Sequence, residues 1–156
     1  MALGTCRDVE LLRQRLHSLE EFDVKAILLF GSKARGESGE KSDVDLLVLH
    51  RGCGIEDAVL RRRHLYNLLR EKIGEEFEEL TVIDMELERF LRPKEVTPLL
   101  LNVYWDAVVV YDSTGVVENF LKDVKDKILK SGLKRVKDGK ANYWVLPEPL
   151  KEVKIL

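Results

Sequence analysis

Two aspartates separated by a single residue carry the strongest chemical signal in the chain. Asp43 and Asp45 flank Val44 at the start of an apolar run that is typical of a buried strand. Because side chains alternate along a strand, both carboxylates project from the same face, with Cα atoms about 6.6 Å apart. Two such carboxylates repel each other by about 2.5 kcal/mol at an effective dielectric constant near 20. A divalent cation between them removes that repulsion, and hard oxygen ligands suit Mg²⁺.

A glycine and a serine precede this pair by a spacer of ten residues. Gly31 follows a buried apolar strand, and without a Cβ its backbone can approach a ligand closely. Ser32 opens a predicted helical turn, whose free N–H groups and serine hydroxyl form an anion site suited to phosphate. Lys33 and Arg35 add positive charge beside it. Taken separately, each signal has a structural interpretation: an N-capping serine in one case and a solvated strand start in the other.

The elements that must position these residues follow the order α, β, β, α, β, α, β, α and a final hairpin. Strands are predicted at residues 25–30, 43–49, 79–83 and 107–111, and helices at 7–21, 55–73 and 115–131. A further helical stretch, punctuated by Pro93 and Pro98, runs through Leu99, Leu100 and Tyr104. This order predicts a mixed α/β (α+β) fold. We expect one domain over residues 1–156, with a core at about 7–112 and a helix and hairpin extension at about 113–156.

Composition narrows the class of protein. The chain of 156 residues is 45% apolar and 35% charged, which excludes a collagen-like chain and argues against global disorder. It contains no apolar run near the ~20 residues of a membrane helix and no export signal, so we expect a cytoplasmic protein without membrane contact. Residues 121–156 carry 10 basic and 5 acidic side chains. Such a basic tail can face RNA or an acidic partner, or can simply be a solvated helix face.

The combined pattern resembles the signature of the DNA polymerase β-like nucleotidyltransferase superfamily. The match is strong over residues 29–49, where it reads Phe30-Gly31-Ser32 and then Asp43-Val44-Asp45-Leu46. The added Ala34-Arg35-Gly36 is similar to the small prokaryotic and archaeal minimal nucleotidyltransferases. A weaker similarity extends over nearly the whole chain.

This resemblance implies a mixed β-sheet with helices mainly on one face and the nucleotide on the other. Asp43 and Asp45 would hold two Mg²⁺ ions that bridge the triphosphate of ATP or another NTP. The phosphates would lie against Gly31, Ser32, Lys33 and Arg35. An acceptor hydroxyl would then attack the α-phosphate and release pyrophosphate, a reaction that depends on positioning and charge neutralisation.

A third carboxylate on a neighbouring strand completes the family pattern, as a metal ligand and as acceptor of the hydroxyl proton. If Leu80 and Val82 face the core, Glu79, Thr81 and Ile83 face the site. Glu79 is then the predicted catalytic and metal-binding residue, and Glu78 is the alternative. If Thr81 occupies the expected position instead, the site is degenerate or substrate-assisted.

The acceptor and the partner also follow from the resemblance. The chain has no large second domain to grip an acceptor, which implies a small helical protein partner that the transferase adenylylates as an antitoxin. Two other hypotheses stay open: a catalytically silent module that neutralises a partner by contact, and a transferase acting on RNA or a small molecule. The sequence leaves the oligomeric state undetermined.

Overall fold

The helices and strands follow the predicted order, the predicted turn at Ser32 forms a short helix, and one further short helix is added. The computed structural model describes residues 3–21, 23–36, 43–139, 141–147 and 153–156. Its helices are α1 (Leu3–Leu16), α2 (Gly31–Arg35), α3 (Ala58–Ile73), α4 (Leu87–Leu91), α5 (Pro98–Asp106) and α6 (Val117–Ser131). Its strands are β1 (Val24–Phe30), β2 (Val44–His50), β3 (Leu80–Glu86), β4 (Val108–Asp112), β5 (Lys134–Asp138) and β6 (Ala141–Val145).

Four of the strands form one mixed sheet in the order β3-β2-β1-β4. Strand β1 runs antiparallel to β2 and to β4, whereas β2 and β3 are parallel. The register pairs Phe30 with Asp45 across β1 and β2, and Asp45 with Thr81 across β2 and β3. The predicted mixed α/β class is therefore confirmed. The sheet brings the Gly-Ser step and the aspartate strand together at one end.

Helices cover both faces of this sheet, which corrects the expectation that they lie mainly on one face. On one face, the buried helical residues are Val9, Leu12 and Leu16 of α1 with Leu65, Leu69 and Ile73 of α3. On the other face they come from α4, α5 and α6, among them Phe90, Tyr104 and Leu121. The physical reason is that β1 and β2 are apolar on both faces, so each face needs a cover.

The helix α5 is held in place by local signals at its start. Its N-cap Thr97 accepts a hydrogen bond from the Leu100 N–H, and Pro98 occupies the first turn, where a missing N–H costs nothing. Inside the core, the Tyr104 hydroxyl donates to the Phe90 carbonyl at 2.6 Å. This anchoring sets the position of Asp106, the last residue of α5.

The hairpin of β5 and β6 packs against α5. The Trp144 indole N–H donates to Asn102 Oδ1 at 2.8 Å, and the Trp144 and Trp105 rings meet edge to face with centroids 5.9 Å apart. Pairing of Arg135 with Trp144 across the hairpin turns both side chains toward the same helix.

Among the described residues, no helix combines the length and the hydrophobicity needed to cross a bilayer.

Candidate active site

The centre of the site is a close approach between Gly31 and the Asp45 side chain. Gly31 begins α2 with a φ of 76°, a left-handed value that favours glycine. A Cβ at this position would overlap Asp45 Oδ2 and would lie 3.2 Å from Asp45 Cγ. The glycine backbone therefore lies directly against the carboxylate, whereas the sequence predicted a close approach of this backbone to a ligand.

The two aspartates differ in their surroundings. Asp43 is exposed at the position before β2, whereas Asp45 is half-buried within the strand. Burial raises the pKa of Asp45, and the negative charge of Asp43 raises it further. A hydrogen bond from Thr81 and the positive charge of Arg35 act in the opposite direction. Asp45 is thus a partly desolvated carboxylate that carries an electrostatic cost in the free protein.

The residues of α2 do not all face the aspartates. Ser32 is half-buried directly after Gly31, in the same turn. Arg35 is close enough to Asp45 for its charge to act on that carboxylate, and its Nη1 lies 3.4 Å from Asp106 Oδ2. The next part of the spacer, residues 37–42, lies outside the described residues.

The Lys33 side chain points toward α1 and not toward the aspartates. This position does not fit its predicted role as a phosphate ligand. Its side chain is only 4% exposed, and its Nζ donates to Asp8 Oδ2 of α1 at 2.8 Å. The ammonium group also lies over the Phe77 ring, 5.5 Å from the centroid. Both contacts belong to the core between the sheet and the α1–α3 face, so Lys33 fastens α2 to α1.

Two residues at the start of the third strand, Glu79 and Thr81, lie beside the aspartates at different heights along the sheet. As predicted, Leu80 and Val82 are buried and Glu79 and Thr81 are exposed. The register places Thr81 level with Asp45, and the two side chains are hydrogen-bonded. Glu79 lies just before β3, where its carbonyl accepts a hydrogen bond from the Val44 N–H at 3.0 Å. Glu79 is thereby a neighbour of the Asp43 end of the site.

The donor set fits the hard divalent cation that the aspartate pair predicts. Asp43, just before β2, and Asp45, within it, offer oxygen ligands near enough for the charge of Asp43 to act on Asp45, and the missing side chain at Gly31 leaves room beside the Asp45 carboxylate. Among the described residues, no cluster of three or more Asp, Glu, His and Cys side chains is placed to bind one metal ion.

A comparison with known proteins identifies the family. Residues 9–135 match the sequence profile of the nucleotidyltransferase domain family. The chain belongs to this family. It is 32% identical over 103 residues to the Methanocaldococcus jannaschii protein named "Putative protein adenylyltransferase MJ1305", covering 66% of this chain and 69% of that protein. The expectation of a nucleotidyltransferase enzyme is therefore confirmed.

Two solved structures show a lower similarity to this chain. One is described as "a putative nucleotidyltransferase from Sulfolobus solfataricus", with a TM-score of 0.47 and 18% identity over 70% of this chain and 85% of that chain. The other is described as "the toxin-antitoxin with AMP-PNP", with a TM-score of 0.44 and 19% identity over 82% of this chain and 88% of that chain.

Sequence patterns did not reveal a second charged cluster at the other end of β2 and β3. Asp84 is almost fully buried and accepts hydrogen bonds from Arg61 and, at 2.8 Å, from His50 Nε2. Burial alone would raise the pKa of Asp84, but these two partners outweigh it and hold the pKa below its ordinary value. The cluster joins α3 to the sheet. The only sequence signal for this cluster is that Asp84 shares the strand parity of the buried residues Leu80 and Val82.

Replacement of Gly31 by alanine tests the close approach to Asp45. The left-handed backbone should cost about 1–2 kcal/mol of stability, and the new Cβ should push the Asp45 carboxylate out of place. Gly52→Ala is the matched control, because Gly52 has a φ of 71° but a Cβ added there would meet nothing within 4 Å. We expect both variants to melt at lower temperature in thermal unfolding, but only Gly31→Ala to lose stabilisation by Mg-ATP. Equal stabilisation of both variants would contradict the contact.

Replacement of Lys33 by methionine tests whether this residue is structural. Loss of the partner of Asp8 should lower the free energy of unfolding by about 1–3 kcal/mol, measured by urea denaturation. Calorimetry should find the Kd for Mg-ATP within about twofold of wild type, a difference well below 1.4 kcal/mol. Lys122→Met, at an exposed position of α6, serves as the control for stability. Weakened nucleotide binding at unchanged stability would instead make Lys33 a phosphate ligand.

Proposed function

We propose that the protein transfers AMP from ATP to a hydroxyl group of a partner protein, in a reaction that depends on Mg²⁺. The observation that carries this proposal is the pair of neighbouring carboxylates, Asp43 just before β2 and Asp45 within it, with the Gly31 backbone against the Asp45 carboxylate. The pair lies in a chain of the nucleotidyltransferase domain family. The name of its relative, a protein adenylyltransferase, favours AMP as the transferred group and a protein as the acceptor.

Some residues of the site bind the Mg²⁺ ions and others bind the phosphates. Asp43 and Asp45 would hold two Mg²⁺ ions, which would supply the charge that neutralises the triphosphate and polarises the α-phosphate. The Gly31 backbone leaves space for the nucleotide, and the Ser32 hydroxyl donates to a phosphate oxygen. Arg35 supplies the positive charge that the chain itself places near Asp45. Lys33 has no part in this site because it is engaged with Asp8.

Proton removal from the acceptor is assigned to Glu79. The acceptor oxygen forms a bond to the α-phosphorus, the bond from this phosphorus to the bridging oxygen of the β-phosphate breaks, and pyrophosphate leaves with that electron pair. The hydroxyl proton passes to the Glu79 carboxylate. Glu79 is exposed, and its backbone is bonded to the residue after Asp43. The Glu79 side chain therefore lies at the solvent-exposed edge of the site, where an acceptor would approach.

The acceptor belongs to the same proposal. We take it to be a small helical protein that is inactivated by adenylylation, so that the transferase acts as the antitoxin of the pair. RNA and small hydroxyl compounds are the competing acceptors. Incubation of the protein with labelled ATP, Mg²⁺ and the product of the neighbouring gene should label that protein. Label on added RNA in its place would overturn the protein acceptor.

One observation favours a second candidate function. Thr81, which carries no charge, lies level with Asp45 and is hydrogen-bonded to it. A site with a hydroxyl at this level has one carboxylate fewer to balance two divalent cations. It suits a silent module that binds nucleotide and neutralises a partner by contact. Such a protein would be stabilised by Mg-ATP but would transfer no label.

Neutralising either aspartate tests the cation site. Asp43→Asn and Asp45→Asn should fold, and without metal they should be at least as stable as wild type because the repulsion between the carboxylates is removed. At 100 times its Kd, Mg-ATP should stabilise the wild type by about 2.7 kcal/mol and should stabilise neither variant. Melting curves with and without Mg-ATP measure both effects.

Asp123→Asn, at an exposed position of α6, is the control and should respond to Mg-ATP as wild type does. If Asp43 were a turn residue only, its replacement would cost about 0.5–2 kcal/mol. A wild-type melting temperature that does not change when millimolar Mg-ATP is added would count against the proposed function.

Glu79→Gln tests the proton acceptor. The substitution should slow transfer about tenfold or more while nucleotide binding survives, because the amide cannot take up the proton at neutral pH. Glu78→Gln is the matched comparison, since Glu78 is the adjacent exposed carboxylate and the alternative that the sequence left open. Single-turnover transfer of labelled AMP measures the rate. Wild-type turnover in Glu79→Gln would mean that the proton leaves by another route, such as the substrate phosphates.

A further inference from the structure

Asp106 occupies a position that is unfavourable for a carboxylate on its own. It is the last residue of α5, at the negative end of the helix dipole, and its side chain is only 7% exposed. Burial of an unpaired charge at such a place would cost several kcal/mol, so its partners must compensate. Those partners come from two distant parts of the chain.

Both partners are arginines, and both use the same oxygen of Asp106. Arg135 of β5 lies with Nη1 at 2.6 Å from Oδ2, and Arg35 of α2 lies with Nη1 at 3.4 Å from it. Each arginine side chain is largely buried. Without the carboxylate, two positively charged guanidinium groups would face each other in a poorly solvated space, and at least one would have to move.

Arg35 connects this group to the nucleotide site. It lies in α2, four residues after Gly31, and its charge acts on the Asp45 carboxylate. Arg135 connects the same group to the hairpin, because its guanidinium also lies over the Trp144 ring, 5.8 Å from the centroid. Trp144 is in turn bonded to Asn102, one turn before Asp106 on α5. One face of α5 thus joins the hairpin to the site.

We propose that Asp106 is a positioning residue for the nucleotide: it holds the Arg35 guanidinium toward the phosphates, and Arg135 of the hairpin secures Asp106 from the other side. This inference rests on the proposed function, because it assumes a triphosphate beside Asp45. It goes beyond it in making the C-terminal hairpin part of the nucleotide site. The two arginines and the carboxylate between them link α2 to the hairpin through the end of α5.

The sign of the change in ATP affinity tests this role. If Asp106 only contributed its charge, Asp106→Asn would remove a negative group near a polyanion, and Mg-ATP would bind more tightly. If Asp106 positions Arg35, the same variant binds Mg-ATP more weakly, by about tenfold in Kd. Calorimetry with Mg-ATP distinguishes the two results directly.

A double-mutant cycle shows whether Asp106 acts through Arg35. Asp106→Asn, Arg35→Gln and the double variant are compared with wild type, and we expect the double variant to bind Mg-ATP no more weakly than Arg35→Gln alone. Additive losses, or an Asp106→Asn variant that binds as tightly as wild type or more tightly, overturn the inference. Asp106→Glu keeps the carboxylate, and it should bind more tightly than Asp106→Asn. It carries the test if Asp106→Asn fails to fold.

Asp57→Ala is the control for a loss of stability away from the site. It removes the N-cap of α3, whose carboxylate accepts hydrogen bonds from the Val59 and Leu60 N–H groups, and it touches neither Asp106 nor the hairpin. We expect it to lower the melting temperature but to leave the Kd for Mg-ATP within about twofold of wild type. An equal loss of affinity in this variant would reduce Asp106 to a structural role. A wild type that does not bind Mg-ATP overturns the proposed function itself. If wild type and Asp106→Asn bind Mg-ATP with equal affinity, only this inference is overturned.

Discussion

The contact between the Gly31 backbone and the Asp45 carboxylate is the constraint on which the site depends. It exists because β1 ends where β2 begins, in an antiparallel register that pairs Phe30 with Asp45. The chain must turn into α2 immediately after that pair, and only a left-handed residue without a side chain can make the turn over a carboxylate. Every other member of the site is positioned relative to this contact.

The short helix α2 distributes two positive charges to opposite sides of the molecule. Lys33 and Arg35 are two residues apart, which corresponds to about 200° around a helix axis. Lys33 accordingly pairs with Asp8 and fastens the helix to α1, while Arg35 points to Asp106 and Asp45. The two basic residues therefore bind different acidic partners, although they are close in sequence.

The structure tolerates an unfavourable group at its centre. Asp45 lies in a strand whose neighbours are buried, and its raised pKa reports the cost of that burial and of the adjacent Asp43 charge. The Thr81 hydroxyl and Arg35 offset part of this cost. Strain of this kind, in a chain whose other local signals agree with its fold, marks a functional site. The cluster of Asp84, His50 and Arg61 differs, because hydrogen bonds from Arg61 and His50 hold the pKa of the carboxylate below its ordinary value.

Local patterns predicted what depends on neighbouring residues. Alternation placed Asp43 and Asp45 on one face, and the apolar runs located the strands to within a few residues. The Gly-Ser step after β1 was recognised for the same reason, since glycine and serine have local conformational preferences. Strand parity also placed Glu79 and Thr81 on one face. The distribution of helices was missed, because an apolar strand does not reveal which later helix covers it.

By itself, the sequence determined the elements, the pair of aspartates and the family resemblance, because these follow from short-range periodicity and spacing. The tertiary structure alone decided that Thr81 lies level with Asp45, since the register of a parallel strand pair is set by a distant connection. It also decided that Lys33 turns away and that Asp106 joins Arg35 to Arg135, two arginines from opposite ends of the chain. These pairings depend on where helices meet the sheet, and charges far apart in sequence carry no local sign of which partner they will find.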